Sequence, residues 1–414
     1  MSEVSIWPMR RVGDIFSIKA GITLGPHRQA KAAGSGYLRV ANVQRGRIDK
    51  SDIALLNASL AERRHYRLSA GDLLVVEGHA NPGEIGRCAL VQQADEGLLY
   101  QNHLFRLRSN EVWPNFAAAW LNSEAARDYW RTVCATSSGL YTVNSRQLVA
   151  MPFPDVPVGE QRRIAEILDT LDAQLSNSQA LIEKFSVIDR GLLQYTLWEG
   201  MRVASAGGAW RWGLVGNVGE VKLGRQRSPQ HESGRHMRPY LRVANVFDSY
   251  INYSDVLEMN FTPREQDTYS LRRGDILLNE GQSLELVGRS AIFDGPSGIC
   301  FQNTLVRFRA GLVSPEYAQA VFRYWLMTGE FVKIAKQTTS IAHLGADRFA
   351  RMSFPIPPKD EETRVVRSLR LLSERMRVER ERVKSLNLLK NGLMEDLLTG
   401  RVRVSEAEAV LEGL

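Results

Sequence analysis

Two stretches of this chain distribute apolar and polar positions with the same beat. From Glu160 to Leu197, the residues Ile164, Leu168, Leu171, Leu175, Ser178, Ile182, Phe185, Asp189 and Leu192 are spaced alternately four and three apart, the period of a coiled-coil seam. Adding 201 to each position gives Val365, Leu369, Leu372, Met376, Glu379, Val383, Leu386, Lys390 and Leu393, within the stretch Glu361 to Leu398. Seven of the nine seam positions are apolar in each copy, and the lapses fall at the same two places. The pattern predicts one long amphipathic helix present twice. Neither stripe can be left facing water, so the two copies are predicted to pack on each other.

The duplication extends beyond the helix. Tyr37-Leu38-Arg39-Val40-Ala41-Asn42-Val43 recurs unchanged as Tyr240 to Val246, at an offset of 203. Gly21, Pro26, Tyr66, Leu68, Gly71, Asp72 and Glu77-Gly78 have counterparts at the same offset; Gln101-Asn102 and Phe153-Pro154 have theirs at 201. The chain therefore reads as two copies of a globular domain, each followed by a long helix. Tyr37 to Val43, Asp72 to Val76, Gly86 to Val91 and His103 to Leu107 have the β-branched and aromatic content of short strands bounded by Gly, Pro and Asn. Phe116 to Val133 and its counterpart Pro315 to Ala335 read as helices, which makes the fold class α+β. Prolines 152, 154 and 157, and 355, 357 and 358, stop each domain before its long helix. The expected boundaries are 1–158 for the first domain, 159–200 for the first helix, 201–358 for the second domain, 359–400 for the second helix and 401–414 for an acidic tail without predicted order. Ser205 to Gly208 is expected to be a short hinge.

Composition alters this picture little. The chain is 44% apolar and 24% charged, ordinary for a globular protein. A net charge of +7 and a pI near 9.3 favour a polyanionic partner. Cys88, Cys134 and Cys300 are odd in number and widely spaced, which argues against a disulfide framework or a zinc finger and for a reduced, cytoplasmic setting. No apolar run has the length of a membrane span, and no membrane association is expected.

The common catalytic patterns are missing or incomplete. Ala33-Gly34-Ser35-Gly36 resembles the glycine-rich turn of S-adenosylmethionine-dependent methyltransferases, but no suitable acidic residue or Asn/Asp-Pro-Pro-aromatic tetrad accompanies it. There is no GxxxxGK[ST] and no Gly-x-Ser-x-Gly. Glu220-Val221-Lys222 lacks the upstream acidic partner of a nuclease site, and His79 and His103 are isolated in sequence. A binding function leads, with no catalytic residue, metal or cofactor expected on this chain.

Duplication suggests how binding would work. Equivalent helices packed antiparallel would relate the two domains by a pseudo-twofold axis, as B-DNA is related by dyads perpendicular to its own axis. The seam from Ile164 to Leu192 spans about 42 Å at roughly 1.5 Å per residue, comparable with the about 34 to 36 Å of one DNA turn. Antiparallel packing places Ile164 near Leu393 and sets Ser178 opposite Glu379, whereas parallel packing would place Ile164 beside Val365. Asp189 and Lys390 are expected to mark frayed ends, with Ile188 and Leu389 as apolar substitutes.

In this order within a twofold repeat, several segments resemble the specificity subunits of type I restriction-modification systems. They are the Trp-containing domain starts (Trp7; Trp210 and Trp212), the Tyr-Leu-Arg-Val-Ala-Asn-Val segments, Gly-Asp-Leu-Leu and Gly-Asp-Ile-Leu, and the helix openings Glu160-Gln161-Arg162-Arg163-Ile164 and Glu361-Glu362-Thr363-Arg364-Val365. The ending Asn391 to Gly400 joins them. The resemblance covers essentially the whole chain. It implies two target-recognition domains, each reading half of a bipartite sequence in double-stranded DNA, with an antiparallel coiled coil as spacer. It also implies modification subunits, two of them, that bind S-adenosylmethionine and methylate adenine, and restriction subunits that hydrolyse ATP. Tyr195 and Trp198 stand where the second helix has Asp396 and Thr399, so the two partner-binding faces differ.

Arg39 and Arg242 are identical in domains that read different bases, which assigns them to packing or phosphate contact. Base readout is expected where the copies diverge and loops emerge. In the first domain this selects Arg28, Lys31, His79, Asn81, Ser137, Ser138, Tyr141 and Asn144. In the second it selects Arg225, Arg227, Gln282, Ser283, Thr338, Thr339, Ser340 and His343. Two rival readings are a scaffold that binds DNA without sequence preference and a self-contained methyltransferase.

Overall fold

The computed structural model of the chain describes residues 6–28, 34–137, 140–205, 210–337 and 341–411. They form two compact units, Met1–Gln179 with Glu381–Leu414, and Ala180–Arg380. Each unit thus contains a globular part and half of each long helix. Among the described residues no helix is long and apolar enough to cross a membrane.

In the first unit a four-stranded antiparallel sheet runs in the order Ser17–Ala20, Leu104–Arg108, Leu73–Val76, Cys88–Leu90. Leu73–Val76 is apolar at every position because both faces of the sheet are covered. Leu73 and Val75 point into the main core with Phe105, Phe116 and Trp130, while Leu74 and Val76 point into a second core with Leu38, Leu68 and Tyr100. The Gly-Asp pair ahead of this strand has a structural cause. Gly71 turns the chain at a φ of +89°, open to glycine, and the buried Asp72 takes a bidentate bond from Arg108 at 2.5 and 2.6 Å.

The segment Tyr37 to Val43 is not the single strand expected from its composition. It is a strand, Ser35–Leu38, then a 3-10 turn, Val40–Asn42, then a short strand, Val43–Gln44. The buried Asn42 causes the break. Its side chain accepts from the Arg39 amide at 2.8 Å and donates to the carbonyls of Asp49 and Asp52 at 2.9 and 3.0 Å, bonds a continuous strand would not allow. The guanidinium of Arg39 pairs with Asp52 at 2.6 Å, a structural role. The expected helix from Phe116 to Val133 is also divided, into Pro114–Asn122 and Glu124–Val133, because Ser123 caps the second at Ala126.

The second unit contains a sheet of order Gly219–Leu223, Leu305–Ala310, Ile276–Asn279, Ser290–Ile292. Gly274 has a φ of +91°, Asp275 is held by Arg309 at 2.6 and 2.8 Å, and Asn245 binds the Arg242 amide and the carbonyls of Asn252 and Asp255. The helix over Pro315–Thr328 ends at Gly329, and Glu330–Ile334 follows.

The long helices run over Val158–Ser205 and Lys359–Thr399. Each is pinned at its start by a buried side chain from the repeated opening motif. Gln161 accepts from the Trp113 amide at 2.7 Å, and Glu362 accepts from the Ser314 amide at 2.7 Å. In the first unit Ile164, Leu168, Leu171 and Leu175 share a buried cluster with Leu386, Leu393 and Leu397. Asp172 pairs with Lys390 across the two long helices, and Arg163 pairs with Glu408 on the short helix Val404–Leu411. Ile164 therefore shares its core with Leu393. In the second unit Leu193 and Leu197 cluster with Val365 and Leu369, with Leu192 half-buried beside them. Ile182, Phe185, Leu372 and Val383 are half-buried and Met376 is buried.

Asp189 is not a frayed seam position. It is 3% exposed and pairs with Arg323 at 2.6 Å, while its expected substitute Ile188 is 43% exposed. Lys390 likewise has a partner in Asp172, and Leu389 packs partly against the core. Residues 401–414 do not form a tail without order over their described part. Val404–Leu411 is a helix whose Val404 and Ala407 are buried in the first unit, and Arg403 lies over the Trp7 ring at 4.6 Å. The expected hinge begins at Ser205, still helical; its remaining residues lie outside those described.

Candidate nucleic-acid interface

In each unit two of the segments in which the copies diverge come together. In the first, Gly78–His79 pairs with Leu140–Thr142, which pairs in turn with Ala135–Ser137, so Tyr141 lies opposite His79 in a small three-stranded sheet. In the second, Gly281–Gln282 pairs with Ala342–His343, which pairs with Lys336–Gln337. Ser137 ends its strand, and Ser283 follows Gln282 half-buried. Short strands with one open face present alternating side chains outward, the geometry a groove reader needs.

The polar groups of these sheets are oriented by local bonds. The Asn81 amide donates to His79 Nδ1 at 3.0 Å, and Asn81 Oδ1 accepts from the Gly83 amide. Asn144 caps the helix Ser145–Ala150, its Oδ1 accepting from the Gln147 amide at 3.0 Å while the Asn144 amide donates to Gln147 Oε1 at 2.8 Å. Gln282 Oε1 accepts from the Ser283 amide at 3.2 Å. His103 has a partner despite its isolation in sequence, since its Nδ1 lies 2.6 Å from Glu77 Oε2. His343 Nδ1 lies 3.0 Å from Glu280 Oε2. Neither carboxylate was among the expected site residues. Glu77 follows the strand Leu73–Val76 and Glu280 the strand Ile276–Asn279, and both are followed by a glycine that starts the small sheet.

The arginines expected at the interface are mostly committed elsewhere. Arg225 is 6% exposed, bonded to Glu265 at 2.7 Å and to the Asn260 carbonyl, with its guanidinium over the Phe261 ring. Its buried position corrects the expectation that it contacts DNA. Arg28 is bonded to Glu62 at 2.6 Å and reaches the Asn57 carbonyl. Arg227 remains exposed beside Glu232 at 3.0 Å. Lys31, Ser138, Thr338, Thr339 and Ser340 lie outside the described residues.

A different basic surface lies on the second long helix within the second unit. Arg367, Arg370, Arg375, Arg377 and Arg380 are exposed. Arg370, Arg377 and Arg380, with Arg190, line a cleft of about 820 Å³ that also includes the buried Asp189–Arg323 pair. The seam period conceals these residues, because they occupy the outward positions between its apolar ones. Among the described residues of the two small sheets none has the form of a nucleophile with its base. Burial pushes the Cys300 thiol up to about 11 and Cys88 higher than the usual thiol range, and among the described residues no three His, Cys, Asp or Glu side chains are grouped to hold a metal.

Residues 5–184 match the family described as the type I restriction modification DNA specificity domain. The chain is 22% identical over 395 residues to the type I restriction enzyme EcoKI specificity subunit of Escherichia coli (strain K12), covering 88% of this chain and 82% of that one. It is 22% identical over 388 residues to the type I restriction enzyme StySPI specificity subunit of Salmonella potsdam, again covering 88% and 82%. The solved S subunit of a type I restriction-modification system from M. genitalium shares the fold, with a TM-score of 0.56 at 14% identity over 96% of this chain and 97% of that one.

Proposed function

We propose that the chain, whose residues 5–184 match the type I restriction modification DNA specificity domain and which resembles type I specificity subunits along most of its length, is such a subunit, and that each of its two similar domains, 1–158 and 201–358, reads one half of a bipartite sequence in double-stranded DNA. The observation that carries the proposal is the small three-stranded sheet in each unit, which gathers the residues that differ between the two copies. His79, Asn81 and Tyr141 would serve one half-site and Gln282, Ser283 and His343 the other. The long helices act as an antiparallel spacer with a pseudo-twofold relation between the domains, and their outer faces dock two modification subunits. Chemistry belongs to those partners: S-adenosylmethionine to the modification subunits and ATP to a restriction subunit. This chain supplies recognition without catalysis, in the cytoplasm where the DNA is.

Charge supports the reading. A basic chain gains affinity from phosphates regardless of sequence, while the sheets discriminate between bases. Mapping methylated adenines in cells that express the chain with its modification subunits tests it. The expected outcome is a motif of two short blocks separated by a constant run of unspecified bases. A single continuous motif would refute the two-domain reading.

A further inference from the structure

Glu77 and Glu280 occupy equivalent positions, and their backbones are bonded alike. The Glu77 amide donates to the carbonyl of residue 103 and the Val143 amide to the Glu77 carbonyl, at 3.0 and 2.9 Å. The Glu280 amide donates to the carbonyl of residue 304 and the Leu344 amide to the Glu280 carbonyl, at 2.9 and 2.8 Å. These bonds bring positions 103 and 142 in the first unit, and 304 and 343 in the second, alongside the glutamate backbone. In the first unit they are His103 and Thr142; in the second they are Thr304 and His343. The histidine has changed places with the threonine, and in both units it bonds the glutamate through Nδ1, at 2.6 Å and 3.0 Å.

This pattern is more than a pair of ion contacts. A carboxylate only accepts hydrogen bonds, so each Nδ1 must carry a proton, and in the neutral ring Nε2 is then an acceptor. Both imidazoles are open to solvent, with side chains 59% and 44% exposed, while the carboxylates are 28% and 15% exposed beneath them. Among the described residues neither Nε2 has a hydrogen-bond partner. His343 also lies over Gly281, where an added Cβ would stand 3.5 Å from the ring. The ring is thus fixed on one edge and open on the other.

We propose that Glu77 and Glu280 are positioning residues that set His103 and His343 to offer Nε2 as an acceptor to an exocyclic amino group on a base edge, adenine N6 or cytosine N4. The major groove presents these donors at distinct places, so an acceptor at a fixed position discriminates against guanine and thymine. Moving the histidine across the glutamate displaces the acceptor while keeping its support, which lets two similar domains read different half-sites. His79 is the contrast. Its Nδ1 accepts from the Asn81 amide, so its proton is on Nε2 and it offers a donor. The proposal rests on the DNA reading above, and its test separates the two.

Long-range proton–nitrogen spectra of the full chain labelled with 15N-histidine should show His103 and His343 protonated at Nδ1 and His79 at Nε2. Glu280→Gln should keep the His343 tautomer, since its amide oxygen still accepts. Glu280→Ala should lose it. In methylated-adenine maps, Glu280→Ala and His343→Ala should relax the same base position in one half-site, raising methylation of sites substituted there at least about tenfold, with the other half-site unchanged. An unchanged tautomer in Glu280→Ala would overturn the positioning role, and a motif unaltered by both variants would overturn the base contact. A continuous wild-type motif would instead defeat the bipartite reading, whatever the tautomers are. Should His343→Ala abolish methylation altogether, the Glu280 pair of variants still decides, because the alanine and glutamine forms must then differ in motif.

Discussion

At the scale of single residues, the polar side chains of the repeated motifs are structural, whereas those of the divergent positions divide into bonded ones such as Arg225 and Arg28 and exposed ones such as Arg227. Asn245 makes three hydrogen bonds that hold the break after the strand Met237–Leu241. At about 1 kcal/mol each, Asn245→Ala should cost about 3 kcal/mol, read as a shift in the urea midpoint at constant slope; a loss below about 1 kcal/mol would deny it that role. Glu62 gives a test by pH. Its carboxyl is held down to about 2 from 4.5, first by Arg28 and then by the Ser59 backbone and hydroxyl. A carboxylate whose folded pKa is depressed contributes stability above its unfolded value and loses it as pH falls through the folded one. The cap of helix Leu60–Tyr66 should therefore persist below the ordinary carboxylate range, and Arg28→Ala should move the Glu62 titration upward. A 13C titration of the carboxyl follows this directly, and a normal midpoint in the unaltered chain would contradict it.

At the scale of elements, the long helices show how a seam can hold a charge. Asp189 occupies an apolar register position and is buried, yet Arg323 from the helix Pro315–Thr328 meets it at 2.6 Å and Asp248 lies 3.3 Å from the same guanidinium. Removing one partner of a buried pair leaves the other charge in a poor solvent. Asp189→Ala should cost about 3 kcal/mol, whereas Asp189→Leu combined with Arg323→Met should fall within about 1 kcal/mol of the parent. Urea denaturation of the two variants distinguishes them; equal losses would mean that the pair is held by packing rather than by charge. The pair also ties the long helix to its globular part, as Gln161 and Glu362 do at the helix starts.

At the scale of the whole molecule, spacing becomes part of recognition. Inserting one heptad at equivalent points of both long helices keeps the seam in phase and adds about 10 Å at about 1.5 Å per residue. If the helices space the two half-sites, the unspecified run in the methylated motif should lengthen by about 3 base pairs, at about 3.4 Å each along a strand. Both blocks should stay the same. Methylome mapping reads this, and an unchanged run with retained methylation would remove the spacer role.

How much of this was legible in the chain follows from range. The seam, the duplication and the Gly-Asp turns are periodic or local, so spacing alone determined them: an amphipathic stripe must be buried, and a positive φ selects glycine. The divergent positions read as loops, and only the fold paired them into small sheets. The sequence by itself also determined where the two copies differ. Only the tertiary structure decided which differing residues are free to act. Arg225 has the composition of a DNA contact, yet Glu265, forty residues away, consumes it. His103 was isolated until the strands brought Glu77 beneath it, and His343 meets Glu280 across 63 residues. Hydrogen bonds and ion pairs between distant segments leave no period in a sequence, because their geometry exists only once the sheets are closed.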